Sequence, residues 1–66
     1  MSKVREALTL IKQDGWYLER IRGSHRQFRH PTKPGTVTVA GATNDDIPMG
    51  TWQSILKQAG LKGQRE

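Results

Sequence analysis

The sequence contains no cysteine. Disulfide frameworks, thiolate zinc sites and cysteine nucleophiles are therefore excluded together, and the absence fits a reducing compartment. No apolar run reaches the length needed to cross a membrane. Charges interrupt the opening stretch from Met1 to Gly15, so it lacks the continuous apolar segment of a signal peptide. These features predict a cytoplasmic protein that does not engage a membrane. At 66 residues the chain also lacks the length for a second domain, and residues 1–66 read as one. A domain of this size buries only about 60% of the surface its unfolded chain exposes. The core must be thin, there is no room for a deep cofactor pocket, and any chemistry belongs on the surface or in a shallow groove. No cofactor is expected.

Acidic residues are missing from one stretch in particular. Between Arg20 and Lys33 stand Arg20, Arg22, Arg26, Arg29 and Lys33, with no Asp or Glu among them. Outside it the other six basic residues balance all six acids, so the net charge of +5 arises in this window. A localised cationic patch is the footprint of a polyanion binder, nucleic acid above all. A solvated basic face that serves solubility is the plainer alternative.

What is present predicts a small α+β fold. Val4, Ala7, Leu8 and Ile11 make an apolar stripe on a helix from about Lys3 to Gln13, with Ser2 as its cap and Asp14-Gly15 as its end. Trp16 to Ile21 reads as a strand of imperfect alternation, with Trp16 and Leu18 on one face and Tyr17 and Ile21 on the other. Gly23-Ser24 turns the chain into a second strand, His25 to His30, stopped by Pro31. Pro34-Gly35 suits a type II turn, and Thr36 to Val39 alternates as a third strand. Ala40 to Asp46 reads as a loop. A second helix after Pro48 carries Trp52, Ile55, Leu56 and Ala59 on one stripe, with Asp45 and Asp46 near its positive end and Gly60 closing it. Lys62 to Glu66 is a polar tail. The order is α-β-β-β-α, and two amphipathic helices covering one face of a three-stranded antiparallel sheet is the simplest burial, as in the double-stranded-RNA-binding-domain fold.

Strand parity then sorts the side chains. Phe28 must face the core, which puts Arg26 and His30 on its side and His25, Gln27 and Arg29 on the other. His25 and His30 fall on opposite faces, so they do not pair as acid and base or as joint metal ligands, and no metal site is expected. RNA carries its own nucleophile, the 2′-hydroxyl. An exposed histidine can move that proton near neutral pH, and arginines can hold the phosphate and its developing charge. His25 with Arg29 four residues along on the same face has both parts. An isolated exposed histidine is also ordinary surface composition. Trp16, Tyr17 and Trp52 could stack on bases, although core packing explains them as well. Ser24 reads as a turn residue and His30 as a structural residue before proline.

Gly23-Ser24-His25 followed by Arg26-Gln27-Phe28-Arg29-His30-Pro31 resembles the central motif of HicA toxins. Thr36 to Val39, Ile47-Pro48-Met49-Gly50-Thr51 and Ile55 to Leu61 resemble the later motifs of that family, so the likeness runs from Val4 to Leu61. It implies a ribosome-independent and metal-independent mRNA endoribonuclease, the toxin of a toxin–antitoxin system. Its catalytic histidine maps onto His25, and Arg22, Gly23, Ser24, Arg26, Arg29 and Lys33 are the candidate RNA-binding residues beside it. The implied partners are mRNA and a HicB-type antitoxin that covers this surface. Many relatives carry a Pro-His pair after the third strand, where this chain has Ala40-Gly41-Ala42-Thr43. A non-catalytic RNA-binding module of the same fold therefore stands as the alternative. A third reading is a basic face that meets an acidic protein.

Overall fold

The computed structural model describes residues 2–61. The tail expected from Lys62 to Glu66 lies outside the described residues. The first helix, α1, spans Val4–Gln13 and buries Val4, Ala7, Leu8 and Ile11, the stripe its spacing requires. Its start differs from expectation. Ser2 does not cap it; Ser2–Lys3 form a short strand, β1, paired antiparallel with β5, Asp46–Ile47. Lys3 is the N-cap, and its backbone N–H donates to the Glu6 carboxylate at 3.0 Å. The next two amides donate to loop carbonyls, Val4 to Asp45 at 2.9 Å and Arg5 to Thr43 at 3.1 Å. Two orphan donors of the first turn, those of Val4 and Arg5, are thus satisfied by tertiary contacts, and that of Lys3 by Glu6, in place of a cap hydroxyl.

Both helices end in the same way. Past the Asp14 cap, Gly15 takes φ +109°, Gly15 N–H donates to Lys12 and Trp16 N–H to Ile11. Past Ala59, Gly60 takes φ +71° with the equivalent bonds to Lys57 and Leu56. These are Schellman closures, and they place the next side chain against the helix. For α1 that side chain is Trp16, which is buried in the core and precedes the strand it was expected to open.

Three strands follow: β2 (Tyr17–Arg22), β3 (His25–Arg29) and β4 (Val37–Ala40), antiparallel in the order β2-β3-β4. Phe28, Val37 and Val39 point towards the helices and are essentially inaccessible. The second helix, α2 (Met49–Gln58), adds Ile55 and Leu56, Ala59 just beyond it is buried, and Trp52 packs on the cluster's margin. Both helices lie against β4 and each other, so β2 is left outside the layer with all six residues exposed.

The architecture is the expected α+β order with both helices on one sheet face, plus the β1–β5 pair. The stretch expected as one loop from Ala40 to Asp46 is shorter, because Ala40 belongs to β4 and Asp46 to β5. The two aspartates do not serve the start of α2, which follows an extended Pro48 and has no acid in its first turn. Asp45 accepts the Ala42 N–H at 3.0 Å and closes the loop. Asp46 pairs with Lys3 at 2.7 Å, and this contact holds its carboxyl below the usual carboxylate range.

Candidate functional site

The helix-free face of the sheet is built by an irregularity in β2. Leu18 pairs with Phe28 and Arg20 with Gln27, so Glu19 has no partner on β3 and forms a bulge. A bulge reverses the alternation of everything beyond it. Ile21, opposite Arg26, therefore joins Leu18 on the helix side, where regular alternation had placed it with Tyr17 on the other face. Arg20 and Arg22, opposite Gln27 and His25, turn to the helix-free side. The signal was present in the sequence as the three-residue spacing of Leu18 and Ile21, which a regular strand cannot direct to one face.

Three rows result on the open face. Arg22, His25 and Ala40 stand side by side, then Arg20, Gln27 and Thr38, then Tyr17 and Arg29. Directly opposed side chains in such rows have Cβ atoms about 4.5–5.5 Å apart. His25 opens β3 straight after the exposed Gly23-Ser24 turn, and the Gly41 N–H donates to the Ser24 carbonyl at 3.1 Å, extending the β3–β4 ladder past His25. The His25 side chain is exposed, and none of the four ion pairs among the described residues involves it. Glu19 approaches Arg29 at 4.0 Å, both half-exposed. Register in β3 is unbroken from His25 to Phe28, so the parity that separates His25 from Arg26 holds.

Of the residues singled out from the sequence, Arg22, Gly23, Ser24, His25 and Arg29 lie along this face or its terminal turn. Arg26 and Lys33 do not join them. Arg26 sits on the helix side and its guanidinium donates to the Gly41 carbonyl at 2.7 Å. Lys33 donates to the Asp14 carboxylate at 2.5 Å and to the Ala59 carbonyl at 3.1 Å, tying the β3–β4 loop to the ends of both helices. The hydrogen bond from Lys33, opposed by partial burial, holds the Asp14 carboxyl below its ordinary value. Arg20, absent from the candidate set, is brought onto the His25 face by the bulge.

His30 is structural, as its place before proline suggested. Its Nδ1 accepts the N–H groups of Thr32 and Lys33, both at 3.1 Å, so Nε2 carries the proton and donates to the Asp14 carbonyl at 2.7 Å. Its ring meets Trp16 edge-on at 5.1 Å. A cleft bounded by Trp16, Lys33, Pro34, Lys57 and Gly60 also lies on the helix side. The open face can therefore do two things chemically: attract a polyanion through three guanidinium groups, and present one imidazole to it.

Among the described residues no group of three or more potential metal-ligating side chains comes together, and no helix is long and apolar enough to cross a membrane. A family model described as HicA toxin of bacterial toxin-antitoxin matches residues 4–61. No curated protein matches the chain.

Proposed function

The chain belongs to the HicA toxin family, hence to the toxins of bacterial toxin–antitoxin systems, and from that premise we propose that residues 1–66 act as one cytoplasmic endoribonuclease domain that cleaves mRNA through His25. The observation that carries the reading is the row structure of the helix-free face, which sets an exposed imidazole beside Arg22 and within a diagonal step of Arg20. RNA laid along this face brings its own 2′-hydroxyl to the imidazole. One proton leaves that hydroxyl as its oxygen bonds to phosphorus, negative charge grows on the phosphorane oxygens, and the 5′-oxygen departs with a proton. The products are a 2′,3′-cyclic phosphate and a free 5′-hydroxyl. His25 serves as the base or the acid of this sequence, water serves as the other, and the arginines stabilise the charge. The reaction needs no metal, because the nucleophile is part of the substrate, and no ribosome. DNA is spared for want of the 2′-hydroxyl.

The proposed partner is a HicB-type antitoxin that silences the toxin by covering the same basic face. The second reading, an RNA-binding module without activity, draws on the stretch Ala40 to Thr43, which offers no second histidine, and on His30, whose ring is fully engaged elsewhere. A gel assay on a long single-stranded RNA in excess chelator, run beside His25→Ala, decides between them. Cleavage by the wild type alone supports the ribonuclease. Binding without cleavage by both supports the module.

A further inference from the structure

The helix-free face carries one feature that phosphate binding and proton transfer leave unused. Of the four aromatic residues, Trp16 and Phe28 are 2% and 1% exposed, and Trp52 packs against the core. Tyr17 is 53% exposed. Its cross-strand partner is Arg29, so its ring stands on the same face as His25. Arg29 lies four residue steps along β3 from His25, about 14 Å along the sheet, a distance within the span of a few nucleotides. Between the two ends lie the polar side chains of Gln27, Thr38 and Arg20, with no large apolar group to interrupt a path.

An exposed phenol beside a guanidinium is a platform for a nucleobase, since every base has a face that stacks on aromatic rings and on arginine planes. We propose that Tyr17, flanked by Arg29, is a base-stacking subsite for single-stranded RNA, displaced along the strand from the bond cut at His25. The proposal rests on the ribonuclease reading above and deepens it: the substrate has to be unpaired not only at the cut but also at a base a fixed step away. Duplex RNA buries its base faces and does not use the subsite. Arg20, Arg22 and Arg29 hold the phosphates between, and Tyr17 fixes the register.

The test uses the full chain with a 2′-O-methyl RNA strand, which binds without being cut, read by fluorescence anisotropy. Tyr17→Phe keeps the ring, whereas Tyr17→Thr keeps the strand preference and removes it. Tyr17→Thr is expected to weaken binding about five- to one-hundredfold while Tyr17→Phe stays near wild type. A scan with one abasic nucleotide moved along the strand should give the wild type one sensitive position, and Tyr17→Thr should be indifferent to it. Equal binding by Tyr17→Thr and wild type overturns the subsite, as does an abasic penalty that survives the substitution. The arm is independent of catalysis: an inactive wild type that still shows the Tyr17 pattern removes the ribonuclease and keeps the subsite. With a cleavable strand, Tyr17→Thr should raise KM and leave kcat nearly unchanged.

Discussion

Replacing one arginine at a time should separate the two sides of the sheet by their response to salt. Three guanidinium groups, those of Arg20, Arg22 and Arg29, stand on the helix-free face, whereas that of Arg26 is held on the Gly41 carbonyl on the other side. For a single strand, each neutralised phosphate contributes about −0.7 to the slope of log K against log salt, so three contacts give about −2. Affinity then falls about 20-fold between roughly 50 and 200 mM salt. Arg22→Gln should reduce the slope to about −1.4 and that loss to about sevenfold. Arg26→Gln should leave the slope unchanged, although it removes the same formal charge. Anisotropy titrations at four salt concentrations, in chains that also carry His25→Ala so that the RNA survives, measure both. If Arg26→Gln flattens the slope as much as Arg22→Gln does, binding follows net charge alone and the assignment of faces is wrong.

Three further outcomes follow from local geometry. Gly15→Ala forces a side chain into φ +109° and puts its Cβ 2.8 Å from His30 Nε2, against the bond to Asp14; the cost should be about 2–4 kcal/mol. A thermal melt should move down by at least about 10 °C, whereas Gly23→Ala, at φ +60° with open space around it, should move much less; equal shifts would count against the His30 contact. Asp14 has a lowered carboxyl pKa in the fold, chiefly through its hydrogen bond from Lys33, so its contribution is complete above its unfolded value of about 3.8 and is lost as pH falls through the lower folded one. Urea midpoints should therefore drop more steeply for wild type than for Asp14→Asn as the pH is lowered below about 4, and parallel profiles would refute the role of the pair. Deleting Glu19 should be tolerated, because Leu18–Phe28 and Arg20–Gln27 become consecutive pairs of a regular ladder; loss of cooperative melting or of the salt slope would show that the bulge has another role.

The elements were legible because their signals are local. The stripe of α1 and the β4 alternation are periodicities of neighbouring residues, and each buries the side chains it names. Phe28, as the one large apolar residue of β3, fixed the outward direction of His25 without reference to any other strand. The start of α1 is not legible locally, because its first amides find carbonyls about forty positions away, at Thr43 and Asp45. Asp46 is taken from the start of α2 for the same reason, since its partner Lys3 lies on β1, whereas Asp45 closes a local turn on Ala42, three residues before it.

The α+β order, the local excess of cations and the placement of His25 at the head of a strand are all readable from the chain, because composition and period act within a few residues. Which cations face the open side of the sheet depends on packing between distant segments. Arg26 and Lys33 are engaged by groups 15, 19 and 26 positions distant, and pairing with β3 fixes the bulge that turns Arg20 and Arg22 towards His25. Likewise Trp16 and Tyr17 are adjacent aromatics with no local difference, and the closure of α1 buries one while the uncovered edge of the sheet leaves the other in solvent. A side chain's type is written in the chain, but its partner and its exposure are properties of surfaces that form only when distant segments pack.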